Sequence, residues 1–279
     1  MKQHRANEVV LITGCGSGIG KALALAFHQR GHRVCATARR LQSMEDLAAR
    51  GIHTLSLDVT QESDVHRVLE DLCSRGESVG VLVNNAGYGA MGPLFDVPAS
   101  EWQKQFDVNL FAPMALTRAV LPGMVQRRKG LIVNISSVSG VMTTPFAGAY
   151  CASKAALNAA SDALRMELRP LGIRVVTVQP GGIQSAFGDR AADDVNLSPD
   201  SPYQAVREGV LSRANESQAD AMPAARFARE VVASLDRPHP PALIRLGPKS
   251  TLLPVIKRVL PTGWLDRILI TRFKLDLLK

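Results

Sequence analysis

The amino-acid sequence predicts an α/β protein with a doubly wound parallel sheet of about seven strands, helices on both faces of the sheet and a C-terminal helical extension. Two observations favour this fold class. Short runs rich in Val and Ile alternate with longer segments of helical period along most of the chain. The short runs are also apolar at consecutive positions, which is typical of parallel strands buried on both faces.

The predicted elements alternate from the N-terminus. The strands are expected at residues 9–13, 33–37, 52–57, 79–87, 131–136, 173–182 and 242–246. Segments of helical period follow the first three strands. The later helices are expected around residues 101–128, 149–169, 203–215 and 225–235. The residues between 184 and 202 are polar with scattered small side chains, as expected of a loop.

Length and composition indicate one domain with an appendage. A chain of 279 residues suits a single α/β unit. Hydrophobic residues make up 46% of it and charged residues 21%, which excludes general disorder. We expect residues 1–248 to form the domain and residues 249–279 to form a basic amphipathic helical extension of it.

The positive charge is concentrated in the extension. The formal net charge of the chain is +8, and residues 249–279 hold seven Lys and Arg against two Asp, a net charge of +5. Binding to nucleic acid would favour basic residues interleaved with aromatic ones, or a known binding motif, and the sequence has neither. No nucleic-acid partner is therefore expected.

Cysteine usage and the N-terminus predict a cytoplasmic protein. The four cysteines show neither paired spacing nor the density of a disulfide scaffold, so we expect reduced thiols and no metal site. The N-terminus enters a strand almost at once and lacks an apolar signal region. No span of about 20 apolar residues is expected to cross a membrane.

The segment TGCGSGIG, residues 13–20, joins the first strand to the first helix. Gly14, Gly18 and Gly20 allow a sharp turn and a close approach of the backbone to a pyrophosphate, whose charge is favoured at a helix N-terminus. A glycine-rich loop can also be no more than a tight turn. Its position between a strand and a helix favours the phosphate site.

The spacing T-G-x-x-x-G-I-G resembles that of the short-chain dehydrogenase/reductase family, and the resemblance extends from about residue 8 to about residue 246. It implies a Rossmann fold, with the nucleotide site and the catalytic site both within residues 1–248. It also implies cofactor contacts from the glycine loop, at Gly14, Ser17, Gly18, Ile19 and Gly20.

The end of the second strand bears on the choice of dinucleotide. NAD sites tend to place an acid there for the ribose hydroxyls, whereas a ribose phosphate calls for Arg. This chain has Ala38, Arg39 and Arg40, with no acid before Glu45. The planar fork of Arg39 suits a phosphate, so NADP(H) is favoured over NAD(H). Both arginines could instead be solvated ends of a strand.

The resemblance implies further contacts with the adenine half of the cofactor. Asp58 and Val59, after the third strand, match the pair that holds the adenine. The NNAG stretch at residues 84–87 matches the element beside the adenine ribose, with contacts expected from Asn85, Ala86 and Gly87. In isolation, NNAG could also be an ordinary turn.

The stretch PGGIQS after the sixth strand is assigned to the nicotinamide end. The resemblance implies that Pro180 and Gly181 line the ring and that the backbone of Ile183 contacts the carboxamide. Ser185 stands where the family usually has Thr. The hydroxyl is kept and the methyl group is lost.

Tyr150 and Lys154 stand four residues apart in AYCASK, so they share one face of a helix. A free phenol has a pKa of about 10, and a nearby ammonium and cationic nicotinamide would lower that pKa. We expect Lys154 to make Tyr150 able to exchange protons at neutral pH. The resemblance implies that Lys154 also holds the hydroxyls of the nicotinamide ribose.

Ser137 and Asn109 complete the predicted catalytic group. Ser137 ends the fifth strand thirteen residues before Tyr150, which is the spacing of the family's serine, and we prefer it to the other serines of NISSVSG. Hydrogen bonds from Ser137 and Tyr150 would stabilise charge on a carbonyl oxygen. The resemblance implies that Asn109 supports a water and Lys154 in a proton relay. Taken singly, these residues could be a strand-end cap, a helix polar group and a surface pair.

The predicted substrate wall is apolar. Its candidates lie in the loops after the strands and in the loose region 184–218. They are Tyr88, Met91, Val138, Met142, Phe146, Ile183 and Phe187. Core packing would explain any one of them equally well. Together they favour a hydrophobic substrate.

Finer likenesses point to lipid-like substrates. VLITGCxSGIG, the ATxR strand end and AYCASK resemble the steroid and retinol dehydrogenase branch of the family. The tail LLPVIKRVLPTGWLDRILITRFKL resembles that of bacterial NADP-dependent aldehyde reductases. These likenesses imply aldehydes or ketones on lipid-like carbon skeletons.

The extension is predicted to be an amphipathic helix. Leu265, Ile268, Leu269, Phe273 and Leu277 are expected on one stripe, with cations around it. That stripe could lie on an anionic membrane, or it could dock over the subunit's own pocket or a partner subunit. The resemblance implies a homodimer or homotetramer through the helices around 101–128 and 149–169.

Three functions follow from these residues. The main hypothesis is an NADP(H)-dependent reductase of a hydrophobic aldehyde or ketone. Within the same class, the alternative is an NAD-dependent alcohol or hydroxysteroid dehydrogenase working in oxidation, which Arg39 disfavours. The alternative from another class is a redox-sensing dinucleotide-binding protein without turnover. That last function would not require Tyr150 and Lys154, and both are present.

Overall fold

The strands form one parallel sheet. The computed structural model describes residues 7–185, 195–216, 218 and 220–278. Within them, seven strands lie in the order β3-β2-β1-β4-β5-β6-β7. Their bounds are β1 Glu8–Ile12, β2 Arg33–Ala38, β3 His53–Ser56, β4 Ser78–Asn84, β5 Gly130–Ile135, β6 Ile173–Pro180 and β7 Leu243–Leu246. The predicted fold class is confirmed, because all six pairs of neighbours run parallel.

The helices lie between the strands and after them. Those before β7 are α1 Gly18–Gln29, α2 Glu45–Ala48, α3 Glu62–Ser74, α4 Ala99–Phe106, α5 Ala112–Arg127, α6 Gly148–Leu168, α7 Arg207–Asn215 and α8 Ala224–Leu235. The extension adds α9 Leu252–Val259 and α10 Thr262–Arg272. Shorter helical turns cover Pro202–Val206 and Leu275–Leu277.

Both faces of the sheet are buried, as the consecutive apolar residues predicted. Alternate residues of β1 point to opposite faces, with Val10 and Ile12 in one core and Val9 and Leu11 in the other. The first core is closed by α1 and α8, and the second by α3, α5 and the end of α6. The sheet therefore positions its loops between two packed layers of helices.

One helical span passes the length and composition test for crossing a membrane. It is Ala99–Arg127, which contains α4 and α5, and the sequence analysis expected no such span. Leu116, Val120 and Met124 of this span are buried in the core beneath the sheet. Packing against the strands therefore explains part of the apolar composition, since 39% of the tested window is buried.

The predicted single helix around 101–128 contains an irregularity. A π-helical turn, Asp107–Phe111, separates α4 from α5. Such turns place one extra residue in the helical repeat and are frequent at functional sites. Here the turn contains Asn109, whose side chain is fully buried.

The predicted stripe of the extension is wrong in part. Helix α10 ends at Arg272, and Lys274 adopts a left-handed conformation with φ of 62°, so Leu277 leaves the helical face. Leu265 and Phe273 are buried, whereas Ile268 and Leu277 are exposed. The ring of Phe273 packs edge-on against Phe146, with ring centroids 6.3 Å apart. In this structure the inner side of the extension docks on the body of the domain.

Candidate active site

The order of the strands reverses at β1, which lies between β2 and β4. In sheets of this kind the crevice for a ligand opens at the carboxyl ends of the strands at that point. The glycine loop follows β1 there. A Cβ atom on Gly20 would overlap the Gly14 carbonyl oxygen and the Asn85 side chain. This position therefore requires glycine if α1 is to start directly on the loop.

The loop fits the pyrophosphate of a dinucleotide. The first turn of α1 has no acidic residue, and within the described chain Ser17 makes no capping hydrogen bond through its side chain. The amides at this helix end therefore lack a side-chain acceptor, and the partial positive charge of the helix favours an anion. Gly18 lies against Ser185, so the loop also meets the segment that follows β6.

Thr13 joins the glycine loop to NNAG, a role that the sequence analysis did not assign. Its Oγ1 accepts hydrogen bonds from the backbone nitrogens of Asn85, at 3.0 Å, and Ala86, at 2.9 Å. The Asn85 side chain donates to the Thr13 carbonyl at 2.8 Å. The element predicted to bind the pyrophosphate and the element predicted to lie beside the adenine ribose are thus held together by one threonine and one asparagine.

The predicted ribose and adenine residues lie at neighbouring strand ends. Arg39, at the end of β2, is exposed, and among the described residues no ion pair involves it. The Asp58 carboxylate accepts hydrogen bonds from the backbone nitrogen and the hydroxyl of Thr60, at 3.0 and 2.7 Å. Val59 packs against the core that α3, α5 and the end of α6 close. A guanidinium that is exposed and unpaired within the described chain fits a phosphate.

Tyr150 and Lys154 lie one turn apart on α6, and both are buried. The Tyr150 side chain is hydrogen-bonded to Ser137. Lys154 Nζ donates to the Ile135 carbonyl oxygen at 2.8 Å, at the end of β5. Ser136, the neighbour that could be confused with Ser137, donates instead to the Lys154 carbonyl at 3.3 Å. The geometry therefore brings Ser137, not Ser136, to the phenol.

The expected effect of Lys154 on the phenol is wrong for this structure. Burial raises the pKa of Tyr150 to about 12, although the hydrogen bond from Ser137 opposes the rise. Burial also lowers the pKa of Lys154 to about 8. The loss of water around the Tyr150 phenol therefore affects its pKa more than attraction to the Lys154 ammonium does. Both groups are buried, and the ammonium donates to a backbone carbonyl.

Asn109 is held by the backbone beside the NNAG turn. Its Oδ1 accepts from the Tyr88 backbone nitrogen at 3.2 Å, and its Nδ2 donates to the Tyr88 carbonyl and to Ser153 Oγ, each at 3.0 Å. A Cβ atom on Gly87 would lie 3.0 Å from Asn109 Oδ1 and 3.6 Å from Lys154 Nζ. Asn109, Gly87 and Lys154 are therefore neighbours. Ser153, which connects Asn109 to α6, is a residue that sequence reasoning missed.

The segment after β6, which is predicted to contact the nicotinamide, is held by backbone and side-chain contacts. Pro180 is buried at the end of β6, and the Gly181 nitrogen donates to the Leu246 carbonyl at 2.8 Å. Ile183 is buried and pairs with Met222. The Gln218 side chain accepts from the Ser185 nitrogen at 3.4 Å and donates to the Ile183 carbonyl at 3.5 Å.

Of the predicted wall residues, Met91 and Phe146 belong to two separate apolar clusters, Ile183 belongs to the core that α1 and α8 close, and three others occupy single positions. Met91 packs with Tyr150, Cys151 and Ala214. Phe146 packs in a second cluster with Val206, Val210 and Phe273, and is therefore shared with the extension. Val138 and Met142 are buried in the turn after Ser137, and the Tyr88 hydroxyl lies 3.2 Å from Glu101 Oε2. Phe187 lies outside the described residues.

Arg213 is a buried cation that sequence reasoning also missed. Its Nε donates to Thr144 Oγ1 at 2.6 Å and lies 3.8 Å from Glu216 Oε2. Its side chain is also hydrogen-bonded to Cys151, next to Tyr150, and its charge lowers the Tyr150 pKa against the effect of burial. Its spacing in the sequence could have indicated that it is buried. Arg213 stands three residues after Val210, on the buried face of α7.

This geometry defines a class of protein. A glycine loop without a side-chain cap lies where the strand order reverses, and a buried tyrosine, serine and lysine lie beside it. This is the arrangement of a dinucleotide-dependent oxidoreductase. Residues 8–196 match the family model for short chain dehydrogenases. The chain is an enzyme of the short-chain dehydrogenase/reductase family.

Individual comparisons agree with this assignment. The NADPH-dependent 1-acyldihydroxyacetone phosphate reductase of Schizosaccharomyces pombe is 38% identical over 215 residues, which cover 75% of this chain and 72% of that protein. The crystal structure of a short-chain dehydrogenase from Streptomyces avermitilis has a TM-score of 0.78 at 31% identity, covering 98% and 97% of the two chains.

A bound cofactor is present in other solved relatives. Serine dehydrogenase complexed with NADP+ has a TM-score of 0.75 at 26% identity, covering 87% of this chain and 96% of that one. Similar solved chains also hold NAD. Binding of a nicotinamide dinucleotide is thus supported, and the preference between the two rests on this chain's own residues.

Proposed function

We propose that the protein is an NADP(H)-dependent reductase of hydrophobic aldehydes or ketones. The observation that carries this proposal is the buried Tyr150 phenol, which is hydrogen-bonded to Ser137 and packed against an apolar cluster. A proton donor and a second hydrogen-bonding hydroxyl are what a carbonyl oxygen needs as it gains negative charge. The roles of Ser137, Tyr150, Lys154 and Asn109 below are part of this proposal.

In this mechanism NADPH, when bound, supplies the hydride. Ser137 and Tyr150 donate hydrogen bonds to the carbonyl oxygen of the substrate, and Tyr150 transfers its proton to that oxygen. Lys154 holds the nicotinamide ribose, and the phenolate that remains is stabilised by the hydrogen bond from Ser137 and the charge of Arg213. Asn109 holds the Tyr88 backbone and Ser153, which fixes α6 and therefore the direction of Lys154.

The raised pKa of Tyr150 agrees with a role as proton donor. A phenol with a pKa of about 12 keeps its proton throughout the neutral range. The choice against the NAD-dependent dehydrogenase working in oxidation rests on Arg39.

Arg39 supports NADP(H) as the cofactor. Its guanidinium lies at the end of β2, where dinucleotide sites contact the adenine ribose. Among the described residues it has no carboxylate partner. A ribose phosphate would give it a charge-assisted, two-point contact. The relative from S. pombe is named as NADPH-dependent, which agrees with this preference.

The substrate class follows from the wall. Met91 packs with Tyr150, and Val138 and Met142 are buried in the turn that follows Ser137, so a carbonyl on an apolar carbon skeleton would replace water there. The S. pombe relative is named for a substrate that carries an acyl group. We propose a lipid-like aldehyde or ketone, in agreement with the likeness to the steroid and retinol dehydrogenase branch.

Tyr150→Phe tests the proposal. We expect turnover of a hydrophobic aldehyde, followed by NADPH absorbance, to fall about 100-fold or more, because the proton donor is lost. The dissociation constant for NADPH should stay within about twofold, since no cofactor contact is assigned to the hydroxyl alone. Tyr203→Phe is the matched control, because it removes a hydroxyl away from Ser137 and keeps the ring that packs against Phe146. Near-normal turnover in Tyr150→Phe would refute the proton-donor role.

The same measurements separate the redox-sensing alternative. A protein that only senses the dinucleotide would bind NADPH with no measurable turnover of any aldehyde, ketone or alcohol in a broad screen. The proposed reductase should turn over at least one hydrophobic carbonyl, and Tyr150→Phe should remove that turnover.

We also propose a cytoplasmic homodimer or homotetramer formed through α4, α5 and α6. Phe111 and Met166 support this, because each is a large apolar side chain exposed on one of these helices or on the turn between them. Light scattering of the full chain should give a multiple of the 30.0 kDa subunit mass. Phe111→Glu combined with Met166→Glu should reduce that mass.

A further inference from the structure

The outer face of α9 is apolar and exposed. Leu252, Val255 and Val259 stand at helical positions i, i+3 and i+7 and therefore share one face. Their side chains are 58%, 51% and 72% exposed. Pro254, on another side of the same helix, is buried against the domain. The helix thus presents its apolar row to the solvent.

Helix α10 repeats this arrangement. Trp264 and Ile268, one turn apart, are 66% and 53% exposed. Leu265 is buried on the inner side, and Phe273, just after the helix, packs against Phe146. Turning Trp264 inward would bring Leu265 out, so the exposed face of α10 is fixed by the packing of its inner side.

The cations of the extension that the structure describes fall into two groups. Lys249 and Arg272 pair with Glu216, and Lys274 pairs with Glu208. Lys257, Arg258 and Arg267 are exposed, and no ion pair involves them within the described part of the chain. These three unpaired cations lie on the same two helices as the exposed apolar residues.

We propose that the outer surface of α9 and α10, formed by Leu252, Val255, Val259, Trp264 and Ile268 with Lys257, Arg258 and Arg267, binds the surface of an anionic phospholipid membrane. Apolar side chains enter the boundary between headgroups and acyl chains, while cations meet the lipid phosphates. A tryptophan is well suited to that boundary. A second copy of the same surface is a poorer partner, because a symmetric contact would bring like charges together.

The inner side of the extension connects this surface to the wall of the active site. Phe273 touches Phe146, and Arg272 donates to Glu216, whose other oxygen lies 3.8 Å from Arg213 Nε. A membrane bound on the outer side would therefore lie next to the elements that enclose a lipid-like substrate. This last step rests on the proposed function, whereas membrane binding itself does not.

Vesicle flotation of the full chain tests the proposal. We expect the protein to float with vesicles of phosphatidylcholine and phosphatidylglycerol, and to float less with phosphatidylcholine alone or at high salt, because screening weakens the contact with the phosphates. Leu252→Ser with Val255→Ser and Val259→Ser, and separately Trp264→Ser with Ile268→Ser, should weaken partitioning about tenfold or more. Replacing the three cations by Gln should abolish the preference for anionic vesicles.

The matched control is Phe95→Ser with Leu243→Ser, which removes exposed apolar side chains that lie elsewhere on the chain and outside the proposed subunit contact. It should float like the wild type. Trp102→Phe leaves Trp264 as the single tryptophan of the chain, and its emission should move to shorter wavelength when anionic vesicles are added. Unchanged NADPH binding in every variant would show that each has folded.

Three results would overturn the proposal. The wild type could fail to float with anionic vesicles. The variants of the exposed face could float as well as the control. The same variants could instead lower the mass in light scattering without changing flotation, which would assign the surface to a second copy of the chain. A failure to find any turnover would count against the proposed function and not against this surface.

Discussion

The side of the crevice that is predicted to hold the cofactor (the cofactor side) and the side that is predicted to hold the substrate (the substrate side) are built differently. On the cofactor side, the glycine loop and NNAG are joined through Thr13 and Asn85, with several contacts that involve backbone atoms. On the substrate side, Arg213 donates to the Thr144 hydroxyl and Phe273 packs against Phe146, so contacts between side chains bring together elements far apart in sequence. Backbone contacts depend on short local patterns, whereas side-chain contacts between distant elements can change from one relative to another.

The largest expected effect is on the cofactor side. In Gly20→Ala, the new methyl group would overlap the Gly14 carbonyl oxygen and the Asn85 side chain, so the loop must distort. We expect NADPH affinity, measured by fluorescence titration, to fall about 100-fold or more. The distortion would displace both the start of α1 and the backbone amides that are predicted to bind the phosphates. Gly263→Ala is the matched control, because a methyl group there meets open space. Wild-type affinity in Gly20→Ala would mean that the loop is not rigid.

A smaller effect is expected at the end of β2. Arg39→Ala should weaken NADPH binding about 10- to 100-fold and leave NADH binding nearly unchanged, because a charge-assisted contact contributes about 1.5–3 kcal/mol. Arg40→Ala is the control on the adjacent exposed position. Isothermal titration with both dinucleotides measures the difference. Equal losses for NADPH and NADH would assign Arg39 a general electrostatic role and remove the case for NADP(H).

The smallest effect is expected on the substrate side, at Arg213. Its charge lowers the Tyr150 pKa, so Arg213→Met should raise that pKa. In the direction of alcohol oxidation, where the phenolate is required, the rise of kcat with pH should shift to higher pH by about one unit or less. Arg213→Lys should restore most of the wild-type profile. Arg207→Met, on the exposed start of the same helix, should not shift it.

A shift to lower pH in Arg213→Met would contradict the assigned electrostatic effect. An unchanged pH profile with a higher KM would instead assign Arg213 to holding α7 in place. Either outcome would show whether the side chains on the substrate side act on the proton donor or only on the shape of the wall.

The strands could be predicted from the sequence because parallel strands buried on both faces leave long apolar runs. β1 and β5 lie within one residue of their expected bounds. The loop and the pair Tyr150 and Lys154 were likewise set by local spacing. The π-helical turn at Asn109 could not be predicted, since one extra residue in a long helix hardly changes its apolar pattern.

Other features depend on packing that only the folded chain has. The direction of the Tyr150 pKa shift was wrong, because the pattern gives the distance along a helix but not the loss of water around the phenol. The stripe of the extension was wrong for a similar reason. Its helix ends at Arg272, where the chain turns to dock Phe273 against the domain, and nothing in the local period marks that end.

The contact between the extension and α7 also constrains how these enzymes can diverge. A Cβ atom on Gly209 would overlap the carbonyl oxygen of Phe273. Relatives that keep a docked C-terminal segment must therefore keep glycine at this position, while relatives without the segment are free to carry a side chain there. Glycine at this position and a docked C-terminal segment should therefore occur together. An alignment of relatives would then show which of them have this contact between the extension and α7.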